Sequence, residues 1–292
     1  MNARTNRSTY IGGGDMAVLM GASRYRTERY VWLHKTKGVE TPQNQRMAIG
    51  LMAEPLLREI AAADGYGVVA GDDVPVVKGV LGGTVDGFLL VPLGREGHAT
   101  VWEGKTINAA VPEHPRREWT IQVQHYMGLV DADTAVITAL GARWEHRHYI
   151  VHRDDALIAH MRDLAEAWWA DHVARGIEPA PQAADLPNLL TGLERDDEVA
   201  IHEAVMGAWF DARAARMLAE DVEKAAAATL AAAMDGAMRA TSSAGTVRVI
   251  RATRTGIDLT RLREELPQVA AAYTRTTKSA AYFQAAPTKE IT

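Results

Sequence analysis

Between Leu81 and Thr106 the chain reads LGGTVDGFLLVPLGREGHATVWEGKT, and this stretch constrains everything around it. Two apolar runs, FLLVPL and ATVWE, flank the polar GREGH, a pattern that predicts two antiparallel strands joined by a turn. Side chains alternate along a strand, so Glu103 and Lys105 share one face while Trp102 and Gly104 turn to the other. Asp86 stands at the entry to the first strand, where pairing brings its carboxylate toward that of Glu103. Like charges a few Å apart repel by roughly 332/(ε·r) kcal/mol, several kcal/mol at intermediate dielectric. A bound divalent cation turns that repulsion into attraction, and hard oxygen ligands suit Mg²⁺ or Mn²⁺. The same residues also describe a solvated hairpin with an exposed cross-strand ion pair, so the remaining chain has to decide between the two.

Composition narrows the classes. The 292 residues are 47% hydrophobic and 24% charged, an ordinary globular balance able to bury a core. No run approaches the ~18 uncharged apolar residues of a membrane span. The N-terminus is basic without an apolar core segment, so secretion is not expected and a cytoplasmic location is. There is no cysteine, which excludes disulfides, zinc–thiolate sites and iron–sulfur clusters. A net charge of −5 gives no global attraction to nucleic acid, so DNA binding would need a local basic patch.

In chain order, residues 10–38 open on three glycines, Gly12 to Gly14, readable as a phosphate cradle or a plain tight turn; the Lys-Ser/Thr of a P-loop is absent. Asp15 is placed to cap a short helix ended by Gly21, and Thr27 and Gly38 bracket a second. Residues 43–65 predict a helix with Met47, Leu51, Ala53, Leu56, Leu57, Ile60 and Ala61 at helical spacing. Glu54 lies within it beside Pro55, which costs about 3 kcal/mol in a helix interior, and among apolar neighbours it is expected to be partly buried. Residues 67–78 read as a strand. A helix over about 116–130 stacks Gln122 and Tyr126 on one face, and two strands follow, TAVITALGA and RWEHRHYIVH. His146, His148 and His152 share a face of the second, an arrangement of a three-His zinc site or of a solvated strand. A helix over 154–175, with Leu157, Met161, Leu164, Trp168 and Trp169 on its apolar face, leads to a Pro/Ala-rich linker at 176–188. Beyond it an Ala-rich helix over 196–240, ended by TSSAG, precedes a ribbon at 245–259 carrying Arg248, Arg251 and Arg254, and a last short helix.

The succession Gly50-x-x-x-Glu54-Pro55, Asp86-Gly, Glu103-Gly-Lys105, Gln122-x-x-x-Tyr126 resembles the YqaJ-type phage recombinase family, lambda exonuclease-like members of the PD-(D/E)xK nuclease superfamily. The opening IGGGDMAVLMGASRYRTERYVWLHKTKG is similar to that family's IGGSD…LG.S.Y.T…W..K stretch. The resemblance implies an α/β fold, a three-layer α/β/α restriction-endonuclease-like core with a mixed sheet, as residues 1–180, and a helical C-terminal extension with a β-ribbon as 181–292. It implies a catalytic set of Glu54, Asp86, Glu103, Lys105, Gln122 and Tyr126. Asp86, Glu103, the Gly104 carbonyl and Glu54 would bind two Mg²⁺ or Mn²⁺ ions. Arg7, Gly14, Ser23 and Arg24 would meet a DNA 5′-phosphate, with Gly14 standing where the family has serine, so that a backbone N–H would replace a hydroxyl.

The activity so implied is a metal-dependent exonuclease, 5′→3′ on linear duplex DNA, acting in phage-type recombination with a single-strand annealing protein; relatives form ring trimers, so a homo-oligomer is an expectation too. Two other readings stand beside it: an endonuclease of the same fold in restriction or repair, and a non-catalytic DNA-binding protein that kept the fold.

Overall fold

The computed structural model describes residues 7–23, 25–39, 45–191, 193, 195, 198–251 and 256–275. They form two compact units, Met1–Gly192 and Leu193–Thr292.

The first unit is built on a five-stranded mixed sheet. Its strands are β1 (Val68–Ala70), β4 (Gly87–Leu89), β5 (Thr100–Thr106), β6 (Thr134–Leu140) and β7 (His146–His152), in that spatial order. A separate antiparallel pair, β2 (Val76–Lys78) with β3 (Leu81–Gly83), completes the β structure of this unit. β5 runs antiparallel to β4 and parallel to β6, while β7 returns antiparallel along the edge. The parallel step needs a crossover, and α4 (Arg117–Val130) supplies it. Every residue of β6, TAVITAL, is buried, as a central strand covered on both faces requires.

Two helical layers cover the sheet. On one face α3 (Gln45–Ala63) packs on β5 and β6, where Leu57 and Ala61 join Leu89, Trp102, Val136 and Leu140. On the other, α4 sets Val123, Met127 and Tyr126 against Val101, Ile137 and Ala139. Behind α4 lie α1 (Gly13–Leu19) and α5 (Asp155–Trp168), with α2 (Glu28–Lys37) beside α1. Met16, Val18, Val31, Ile121, Met161 and Trp168 form their shared core. This is the expected three-layer α/β/α architecture around a mixed sheet.

Several local expectations change. The three glycines open α1 instead of forming a separate tight turn: Gly12 is its N-cap residue and Asp15 Oδ2 accepts the Gly12 N–H at 3.1 Å, closing the helix end from inside. Residues 67–78 split into β1 and β2, because Gly71 packs its Cα against the Val85 carbonyl, 2.0 Å from where a Cβ would sit. Of the apolar stripe read over 43–65, only Leu57 and Ala61 are buried, while Met47, Leu51 and Leu56 are exposed. Only a narrow strip of α3 rests on the sheet; residues 43 and 44 lie outside the described residues. The helix at 154–175 ends its α-helical part at Trp168 and continues as a π-helical turn, Trp169–Ala174.

The segment after it is tied down. Asp185, in a 3₁₀ turn (Ala183–Asp185) before α6 (Leu186–Thr191), accepts a 2.6 Å hydrogen bond from the buried Thr27 hydroxyl at the start of α2. In the second unit, the 31-residue α7 (Glu203–Ala233) is followed by a ribbon of β8 (Arg239–Ser242) and β9 (Gly245–Arg248), then α8 (Leu259–Glu265) and α9 (Pro267–Tyr273). Ser242 pairs with Gly245, so TSSAG forms the ribbon's turn instead of a helix stop. Arg248 ends β9, Arg251 lies beyond the ribbon, and Arg254 falls outside the described residues.

Candidate active site

The register of β4 and β5 decides the geometry. Gly87 pairs with Trp102, so one further step along the ladder sets Asp86 opposite Glu103. The Gly104 N–H donates to Asp86 Oδ2 at 3.2 Å, holding this carboxylate at the strand end. Glu103 and Lys105 project toward α4, as alternation requires. Trp102 projects the other way and donates its indole N–H to Thr138 Oγ1 at 2.9 Å.

From α4, Gln122 closes the arrangement. Its Nε2 donates to Glu103 Oε1 at 2.8 Å and to the Tyr126 hydroxyl at 3.0 Å, while its Oε1 accepts from Lys105 Nζ at 2.8 Å. Lys105 Nζ also reaches Glu103 Oε1 at 2.6 Å. One oxygen of Glu103 is therefore doubly occupied. The other, Oε2, is buried and meets no hydrogen-bond donor, an expensive state for a carboxylate oxygen.

Glu54 enters from α3, half-buried, and its charge acts on Glu103. Gly50, one turn earlier, lies over the end of β5, with Thr106 Oγ1 3.8 Å from where its Cβ would stand. Arg58, one turn after Glu54, contributes positive charge near Asp86. The sequence reading passed over Arg58, although its i+4 spacing from Glu54 puts both on one helix face.

The electrostatics follow from this crowding. Burial, then the Asp86 charge, raise the Glu103 carboxyl to about 8 in spite of the Lys105 ion pair. Burial also raises Asp86, against the pull of Lys105 and the Gly104 N–H. Burial would lower Lys105, but Glu103 and Asp86 more than reverse it and hold it charged. Burial and the same two carboxylates keep Tyr126 protonated. Without a cation, burial and the neighbouring Asp86 charge favour a proton on the Glu103 carboxyl. Such a set of hard oxygens, with one buried lone-pair-bearing atom unpartnered, fits a divalent metal ion.

The glycine-started helix packs directly against this cluster. A Cβ on Gly13 would meet Gln122 Cγ at 2.8 Å and the Tyr126 ring at 3.3 Å. Of the residues assigned to a 5′-phosphate, Arg7 lies close enough to Tyr10 and Tyr126 to act on both electrostatically. Gly14 faces Arg26, whose Nη1 is 3.6 Å from the position of an added Cβ. Ser23 Oγ is committed to its own turn, accepting from the Arg26 N–H at 3.1 Å. Arg24 lies outside the described residues. Lys35, the lysine of the W..K pattern, is buried between Asp15 Oδ2 at 2.7 Å and the Arg7 carbonyl at 2.6 Å.

The three histidines of β7 are not brought together as a set. His146 and His148 converge on Asp64, and that trio is a group able to hold a metal ion. His152 lies four residues beyond His148 on the strand and takes no part in it. No helix among the described residues is long and apolar enough to cross a membrane.

No protein-family model matches the chain. Over 187 residues it is 27% identical to the Bacillus subtilis protein YqaJ, itself uncharacterized, a match covering 58% of this chain and 55% of that protein. The match thus spans about half the length of the curated relative. Solved structures that it resembles include an alkaline exonuclease, LHK-Exo, from Laribacter hongkongensis (TM-score 0.46, 18% identity, 58% of this chain and 90% of that one). The complex of LHK-Exo with dAMP gives TM-score 0.47 at 18% identity, over 60% of this chain and 92% of that one. A phage-related exonuclease from Haemophilus somnus 129PT gives 0.45 at 14% identity, over 57% and 96%. The resemblance to the YqaJ-type family read from the motif succession is thus met by an independent sequence match to YqaJ itself.

Proposed function

We propose that the chain is a divalent-metal-dependent deoxyribonuclease, an exonuclease acting on the ends of linear duplex DNA. The observation that carries this reading is the buried, donor-free Oε2 of Glu103 beside Asp86 and within reach of the Glu54 charge. Asp86, Glu103, the Gly104 carbonyl and Glu54 are the residues that would hold Mg²⁺ or Mn²⁺. Bound there, two ions would stabilise the attacking and leaving oxygens of phosphodiester hydrolysis together.

The remaining chemistry belongs to side chains. Lys105, kept cationic by Glu103 and Asp86, orients the attacking water and offsets negative charge growing on the phosphoryl oxygens. Gln122 fixes both partners of that ion pair, so it positions Lys105 without touching the reacting atoms. Tyr126, protonated, offers a hydroxyl donor at the wall of the DNA channel. Arg7, Gly14, Ser23 and Arg24 are the proposed 5′-phosphate contacts, which would set 5′→3′ polarity; the proximity of Arg7 to Tyr126 favours that role for Arg7. Phage-type recombination with a single-strand annealing protein and assembly into a ring extend the same family reading. So does a nuclease domain over 1–180 with 181–292 as an extension.

Digestion tests it. Linear duplex DNA, with and without a 5′-phosphate, is incubated with Mg²⁺ beside closed circular DNA, using wild type and Lys105→Ala. Loss of the linear duplex alone, abolished in the variant, is the expected result. Cutting of the circle would move the assignment to an endonuclease, and cleavage by neither protein in Mg²⁺ or Mn²⁺ would leave a DNA-binding protein.

A further inference from the structure

On the opposite face of the sheet from Glu103 and Lys105, His146 Nε2 and His148 Nε2 lie 2.8 and 2.9 Å from a single oxygen, Oδ2 of Asp64. The ligand atoms of all three fall within 4.8 Å of one another. We propose that Asp64, His146 and His148 form a second metal site, distinct from the carboxylate cluster, that takes a late first-row cation such as Zn²⁺ and clamps edge strand β7 to the end of α3.

Four features support a built site over a chance ion pair. Imidazoles at i and i+2 of one strand project side by side, and two imidazoles with one carboxylate form a donor set that Zn²⁺ favours over Mg²⁺. The inner ligand is walled in: the His148 side chain is 11% exposed and its ring packs 4.9 Å from that of Tyr66. Its second nitrogen is held, with Nδ1 3.0 Å from Thr138 Oγ1, which also accepts the Trp102 indole N–H. A hydroxyl there can accept Nδ1–H and leave the Nε2 lone pair for a metal, the usual outer support of a ligating histidine. Finally, Asp64 directly follows the 19-residue α3, whose C-terminal end carries partial negative charge and favours a cation.

Metal–ligand bonds of about 2.0–2.1 Å in tetrahedral geometry set neighbouring ligand atoms roughly 3.3 Å apart. The two histidine–aspartate distances, 2.8 and 2.9 Å, would need to open by about half an ångström to meet that spacing. The fourth position faces solvent, since Asp64 and His146 are 44% and 38% exposed, so water would fill it.

The test is calorimetric titration of Zn²⁺ into the EDTA-stripped full chain, with millimolar Mg²⁺ present to occupy the carboxylate cluster. Wild type and Asp86→Asn should each bind one Zn²⁺ with micromolar or tighter affinity, and Zn²⁺ should raise their melting temperature. His146→Ala and Asp64→Asn, both at exposed positions, should weaken binding at least tenfold and abolish the thermal shift. Thr138→Val should weaken it about tenfold through His148 alone. No saturable Zn²⁺ binding by wild type would overturn the proposal and leave a plain His–Asp ion pair. So would binding unchanged in His146→Ala and Asp64→Asn, which would place the ion elsewhere.

Discussion

At the residue scale, Glu103 stands under opposing demands. It is 2% exposed, shares one oxygen between Lys105 and Gln122, and leaves the other bare. Because its carboxyl is raised in the folded chain to about 8 and lies near the ordinary carboxylate value when unfolded, the folded state binds the extra proton between those limits. Metal-free protein should therefore lose stability as pH rises from about 4.5 to about 8. Mg²⁺ must displace that proton, so its stabilising effect should grow over the same interval. Thermal unfolding from pH 5 to 9, with Mg²⁺ and with EDTA, reads both slopes. Glu103→Gln should flatten the first, raise the melting temperature of the metal-free protein above pH 8, and abolish the Mg²⁺ response. Lys105→Ala should lower cleavage by about 100-fold or more, the usual cost of removing one preorganised donor aimed at charge that develops in the transition state, while Mg²⁺ still raises the melting temperature.

At the scale of elements, the site depends on close approach of α1 and α4. Gly13 lets the first turn of α1 lie against Gln122 and Tyr126, and a methyl group there would meet Gln122 Cγ at 2.8 Å. Gly13→Ala should push Gln122 away from Glu103 and Lys105, lowering turnover at least tenfold with only a small shift in melting temperature. Activity assays beside circular dichroism separate the two. α3 is held differently, through Leu57, 1% exposed, over Trp102 and Gly104. Leu57→Ala should cost about 2–5 kcal/mol in urea unfolding, the range for truncating a fully buried leucine.

For the whole molecule, compactness is divided at Gly192 and Leu193. Every residue named at the candidate active site precedes that boundary, and so does the hydrogen bond from Thr27 to Asp185 that anchors the chain just before it. A chain ending at residue 192 should fold cooperatively and keep the Mg²⁺-dependent thermal shift; a gradual, uncooperative melt would show that the second unit is required for the first to fold. In the second unit α7 has no buried residue along its 31 positions, and its alanine-rich sequence and pairs such as Arg216–Glu220, 2.6 Å apart, favour the helix.

Much of this was legible in the residues because it is local. Alternation put Glu103 and Lys105 on one face and Trp102 on the other, and i, i+4 spacing joined Gln122 to Tyr126. Thr27 and Gly38 marked both ends of α2, and the largely apolar TAVITALGA marked a strand. What the residues could not announce were contacts closed across long separations. No period in the sequence says that Asp64 meets His146 and His148, more than 80 residues away, or that His152 does not. Nothing local says that Gly13 must be small for the sake of Gln122, or that of the α3 stripe Leu57 and Ala61 are buried on the sheet while Met47, Leu51 and Leu56 stay exposed. Backbone period and propensity act between near neighbours, whereas the pairing of surfaces depends on how sheet and helices are stacked. The residues of the candidate site were therefore legible in the chain, while the bare oxygen of Glu103 and the second, histidine-lined cluster exist only once the layers have been brought together.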